Sequence, residues 1–111
     1  MNVNDVIRMR HMLDAAKEAI YFVEGESHMS LVNDRKLTFA VVRALEIIGE
    51  AASRTTIECQ NATPQIPWRG MIGMRNRLIH AYFEVDYDQV WNAVTDGAAS
   101  INCDVGAVAL T

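Results

Sequence analysis

Two cysteines in 111 residues, Cys59 and Cys103, are too few for a disulfide framework and sit in no metal-ligand spacing. That usage predicts reduced thiols and a cytoplasmic protein. Only two prolines occur, Pro64 and Pro67, both in one short loop, and neither an internal repeat nor a low-complexity linker divides the chain. No apolar run approaches the ~18 residues that cross a bilayer, and Met1–His11 lacks the unbroken apolar stretch of a secretory signal, so no membrane partner is expected. Alternating strand patterns are missing. So are a glycine-rich phosphate loop and any pattern pointing to serine or cysteine hydrolase chemistry.

Half of the residues are apolar, which suits one domain over 1–111 with a single core and no metal or disulfide staple. The apolar spacing predicts four helical stretches. Val6, Met9, Leu13, Ala16, Ile20 and Val23 form the stripe of the first, with Asn4 as expected N-cap and Gly25 at its end. Leu37, Val41, Ala44, Leu45, Ile48 and Ala52 mark a second, from Asn33 or Asp34 to about Thr56, followed by a loop over 60–66. Pro67 fits the first turn of a third helix, which should fray near 81–83. Asp86 with Gln89 resembles a capping box that opens a fourth, and roughly 104–111 reads as an irregular tail. The expected fold is all-α, an antiparallel bundle of four to five helices.

A net charge of −4 argues mildly against a nucleic-acid partner, since phosphate binding draws on Lys and Arg. The distribution says otherwise. Between Ile66 and Phe83 stand Arg69, Arg75, Arg77 and His80 with no acid, a patch able to hold one or two phosphates. On a helical wheel Arg75 lies within roughly 60° of Trp68, Met71, Ile72, Leu78, Ile79 and Tyr82. A guanidinium in an apolar stripe needs a partner, so Arg75 either pairs with a neighbouring helix or lines a cleft open to an anion. Glu46 and Glu50, at i and i+4 on the second helix, are partners for Arg75 or Arg77, or else a solvated face.

A second face carries Arg69, Gly73, Asn76 and His80. Asn76 and His80, four residues apart, can touch, and Gly73 leaves space beside them. His80 could equally serve the helix dipole near the C-terminus. Tyr82 alone reads as a core aromatic, and His11 and His28 as surface residues. On an ideal helix Arg75 and His80 stand ~140° apart, so they share one phosphate only if the helix loosens or a second copy supplies one of them. Together they suffice for RNA cleavage without a metal or cofactor: His80 moves the proton of the ribose 2′-hydroxyl, and the Arg75 fork steadies the phosphate oxygens.

The segment from Ile66 to Phe83 closely resembles the HepT-like toxins of the HEPN superfamily. Their Arg-x4-His-x-Tyr motif falls on Arg75, His80 and Tyr82. Val41–Ala52 and Val85–Trp91 are also similar, so the resemblance spans roughly residues 1–95. It implies a HEPN-like helical homodimer with two Arg/His pairs facing one cleft, and a metal-independent endoribonuclease that leaves a 2′,3′-cyclic phosphate. Catalytic roles then fall to Arg75 and His80, with Asn76, Arg77 and Arg69 in support. It further implies a toxin–antitoxin pair in which a nucleotidyltransferase antitoxin transfers AMP onto Tyr82. Family members commonly close on a Leu-Pro segment that this chain lacks. Two other readings stand beside this one: a non-catalytic helical dimer that binds and regulates a nucleotidyltransferase, and a structural dimerisation domain.

Overall fold

A computed structural model describes residues 2–80 and 86–109, with the side chains of all of these except 79, 80 and 107–109. Among them every regular element is helical: α1 (Val3–Phe22), α2 (His28–Asn33), α3 (Arg35–Ser53), α4 (Ile57–Ala62), α5 (Trp68–His80), α6 (Tyr87–Asn92), a π-helical turn (Ala93–Ala98) and α7 (Ala99–Ala109).

The long elements fall where the apolar stripes place them, and the boundaries are set by side-chain caps. Asn2 caps α1 by accepting from the Asp5 amide at 2.8 Å, two residues before the expected Asn4. Asp5 itself is buried (2 % exposed) and turns to the far end of α3. Its carboxylate accepts from the Thr56 amide at 2.9 Å and the Thr56 hydroxyl at 2.7 Å. A buried carboxylate must be met by donors, and Thr56 supplies both. These bonds set the start of α1 beside the end of α3, so the two run antiparallel. Gly25, at φ 76°, ends the turn after α1 in the left-handed region that glycine adopts without strain.

Two short helices, α2 and α4, depart from the sequence expectation. α2 precedes α3, which starts where expected, with the Asp34 carboxylate accepting from Lys36 and Leu37 at 3.0 and 3.2 Å. α3 stops at Ser53 instead of near Thr56. There the hydroxyls of Ser53 and Thr55 donate back to the Glu50 and Ala51 carbonyls, and Thr56 caps a separate helix, α4, by accepting from the Cys59 amide. The expected loop is therefore confined to 63–67. Pro67 stands immediately before α5, its carbonyl accepting from the Met71 amide, and the Trp68 indole donates to Thr63. The fraying expected at 81–83 lies outside the described residues.

Asp86 caps α6 by accepting from the Gln89 amide at 3.1 Å, as the spacing predicts. The helical run continues through a wide π turn, where Thr95 donates to the Trp91 carbonyl and Gly97 adds no bulk. Val90, Val94, Ala98, Ile101 and Val105 all stay in the core across it. α7 reaches Ala109, so the tail expected to be irregular from about 104 is helical to that point. Val105 is buried, and Gly106 lies against Leu13 of α1, which gives this apolar end a surface to pack on. The last helix returns antiparallel along α1 over a core centred on Met9, Met12, Val41, Val94 and Val105. His28 is a further correction: instead of lying on the surface it is half-buried, edge-on to Trp91 with centroids 6.4 Å apart and Nε2 2.5 Å from Asp88 Oδ1, which joins α2 to α6.

Candidate functional site

α5 packs on α3 with almost no space between the two backbones. The point of closest approach is Gly49. A Cβ there would fall 2.7 Å from the Met71 carbonyl oxygen and overlap the Arg75 Cβ. The stem of Arg75 therefore sits directly on the α3 backbone, which resolves how a guanidinium stands in an apolar stripe. The methylenes are covered by a glycine, and the charged head stays at the half-buried rim.

Of the two alternatives for Arg75, the structural ion pair is not formed among the described residues. Glu46 and Glu50 pair within their own helix, with Arg43 at 3.4 Å and Arg54 at 3.1 Å. Arg75 Nη1 instead donates to Oδ1 of Asn76 at 3.1 Å. A neutral amide leaves the positive charge uncompensated, as a site for an anion requires. Asn76 thus holds Arg75. Its expected contact with His80 falls on a side chain that is not described, and Tyr82 lies outside the described residues.

The other two arginines of α5 part company. Arg77 reaches α6: with the Gln89 amide oriented oxygen-first, Nε and Nη2 donate to it at 2.9 and 3.2 Å. This brace joins the two helices on either side of residues 81–85. Arg69 is exposed on the opposite face, beside a shallow groove lined also by Trp68, Ile72, Gly73 and Asn76 of α5, Ile57, Gln60 and Asn61 of α4, and Pro64. A Cβ at Gly73 would meet nothing nearer than an Arg77 nitrogen at 3.6 Å, so that face is open as expected. α5 remains α-helical to His80 without loosening, and the Arg75 and His80 backbone positions stay about 140° apart around its axis.

A cavity of about 180 Å³ between Leu45, Ile48, Met71, Met74, Gly97 and Ile101 is lined almost wholly by apolar atoms and offers nothing to a phosphate. Among the described residues no three His, Cys, Asp or Glu side chains gather where a metal could be held. Cys59 is buried, and desolvation, then the nearby Asp5 charge, push its thiol pKa up, which keeps it protonated and unreactive. No described helix is long and apolar enough to cross a membrane. Gly49 and Gln89 are the two positions whose part in the site sequence reasoning missed. Gly49 had a signal, a glycine inside a strong helical stripe; Gln89 was read only as a cap residue.

An all-helical bundle that seats an uncompensated guanidinium on a helix–helix crossing defines the class of protein. The comparisons then place it: residues 12–102 match the family described as Ribonuclease HepT-like, and the chain belongs to that HEPN-type ribonuclease family. A protein of Methanocaldococcus jannaschii named as an RNase is 36% identical over 97 residues, covering 87% of this chain and 89% of its own. An RNase-named protein of Caldanaerobacter subterraneus is 40% identical over 86 residues, 78% of this chain and 77% of its own. A Thermococcus cleftensis protein bearing the name ribonuclease HepT is 48% identical over 68 residues, 61% of this chain and 62% of its own. No solved structure matches.

Proposed function

We propose that this chain is the toxin of a toxin–antitoxin pair, a cytoplasmic, metal-independent endoribonuclease whose catalytic groups are Arg75 and His80. The observation that carries the reading is the Arg75 guanidinium, anchored on Gly49, held by the neutral Asn76 and met by no carboxylate among the described residues. His80 takes the proton of a ribose 2′-hydroxyl, whose oxygen attacks the adjacent phosphorus. The bond to the 5′-oxygen of the next nucleotide breaks, that oxygen is protonated, and a 2′,3′-cyclic phosphate remains. Arg75 contacts two phosphate oxygens while negative charge gathers on them. Tyr82, two residues beyond His80, is the acceptor for AMP from a partner nucleotidyltransferase; the adduct puts bulk and negative charge where the RNA backbone must lie.

The unbroken α5 favours a site shared between two copies, since one regular helix turns Arg75 and His80 to different sides. The test is cleavage of labelled RNA in EDTA, with end-group analysis, by Arg75→Ala and His80→Ala alone and coexpressed. Each variant alone is inactive. If each site takes its arginine from one chain and its histidine from the other, a mixed dimer regains one intact site of two, and random pairing restores about a quarter of parental activity. Activity in either single variant overturns the catalytic assignment. Silence in the mixture places both groups in one chain. Mass spectrometry after coexpression with the nucleotidyltransferase reads the Tyr82 assignment: AMP still found on Tyr82→Phe moves the modified position elsewhere.

A further inference from the structure

A second concentration of positive charge lies away from α5, in the groove between α1 and α3. Arg8 and His11, three residues apart on α1, face Arg43 and Arg54 on α3 across a floor of Ile47 and Ala51. Glu50 is the single acid among the lining residues, in a chain whose net charge is −4. Arg8 and His11 make no side-chain hydrogen bond or ion pair among the described residues. Arg43 and Arg54 are paired only along their own helix, and exposed pairs of that kind are weak and easily exchanged. Both arginines also project further than their partners, 65% exposed against 23% for Glu46 and 58% against 41% for Glu50. A phosphate arriving in the groove meets guanidinium groups before it meets carboxylates.

The groove lies one helix away from Arg75. Gly49 backs Arg75 on one flank of α3, and the next residue, Glu50, lines the groove on the other. Only the width of α3, about 10 Å, separates them. No aromatic side chain lines the groove, so nothing there stacks on a base, and backbone phosphate is the RNA feature its groups match.

We propose that the α1–α3 groove is a subsite for the backbone phosphates of single-stranded RNA flanking the cleavage position. This rests on the ribonuclease reading of the Arg75 site. The strand crosses the outer face of α3 and is held by Arg8, Arg43 and Arg54 without regard to sequence.

The experiment measures binding of a 2′-O-methylated RNA dodecamer, which 2′-hydroxyl attack cannot cut, to the parent and to Arg8→Gln/Arg54→Gln, with circular dichroism confirming that substitution at half-buried Arg8 and exposed Arg54 leaves the fold intact. Affinity should fall roughly tenfold for each arginine replaced, and the slope of log affinity against log salt should shrink by about 0.7 for each phosphate no longer neutralised. Equal dodecamer affinity and equal salt slopes for parent and variant overturn the subsite, even where the parent cleaves RNA. Groove-dependent binding in a parent that cleaves no RNA keeps the subsite and removes the ribonuclease reading. A parent that binds no RNA removes both.

Discussion

Replacing Gly49 with alanine adds one methyl group at the closest approach of α3 and α5. Its carbon would sit 2.7 Å from the Met71 carbonyl oxygen and inside the van der Waals distance of the Arg75 Cβ. Ordinary packing against a Cβ begins near 3.4 Å, and both obstacles are fixed to the α5 backbone, so neither can swing aside. The helices must separate by something on the order of 1 Å. Overpacking of this kind costs about 1–3 kcal/mol, and the better helix propensity of alanine returns up to about 1 kcal/mol. The expected net loss is about 1–2 kcal/mol, or roughly 5 °C in Tm. Activity should suffer more than stability does. Arg75 moves with the α5 backbone, and a displacement of about 1 Å in a catalytic group can lower kcat/KM by roughly 100-fold. The assay is RNA cleavage at a temperature where thermal melts show the variant fully folded. Gly70→Ala is the control: its Cβ would meet nothing within 4 Å, so that variant should keep activity and match or exceed the parental Tm. A Gly49→Ala protein with parental Tm and parental cleavage would refute the idea that this crossing positions Arg75.

Asp5→Ala should cost about 2–3 kcal/mol, read as a lower urea midpoint, because it strands two donors of Thr56 at the α1–α4 junction; an unchanged midpoint contradicts that role. Trp68→Phe removes the indole donor to Thr63 while keeping an aromatic ring, and should lower stability by about 1–2 kcal/mol, checked by the same titration. Iodoacetamide at mildly alkaline pH should label exposed Cys103 and spare buried Cys59 in the native protein. Because burial raises the Cys59 pKa in the folded state, its contribution to stability is whole below the ordinary thiol pKa of about 8.5 and is lost as pH rises above it. Cys59→Ser should flatten that alkaline decline in Tm; a decline of parental steepness would assign it to other groups.

The bundle was legible because its information is periodic. Stripes on Met9–Leu13–Ala16 and Val41–Leu45–Ile48 specify which faces meet, and those residues are in the core. What the periodicity could not show is where a helix stops and restarts on the same face. Ser53, Thr55 and Thr56 break α3 from α4 through hydroxyl bonds that leave the apolar spacing nearly undisturbed. Asn2 stands in place of Asn4 as the cap, accepting from the amide of Asp5, whose carboxylate meets Thr56, 51 residues away in sequence. The apolar end of α7 looked unstructured because its partner, Leu13, sits on the first helix. The first of these misses is decided by short-range hydroxyl bonds, and the other two involve a distant neighbour.

The site divides along the same line. Arg75 was conspicuous as a charge among apolar neighbours, and the wheel rightly separated it from the face of Arg69, Gly73 and Asn76. The wheel could not decide between an ion pair and an open guanidinium, because that depended on whether Glu46 and Glu50 turn toward α5 or along α3. They turn along α3, where Arg43 and Arg54 lie within one turn of them. Arg75 is left with a neutral partner, Asn76. A carboxylate at Arg75 would compete with any phosphate for the same guanidinium, whereas an amide fixes its direction and leaves its charge available.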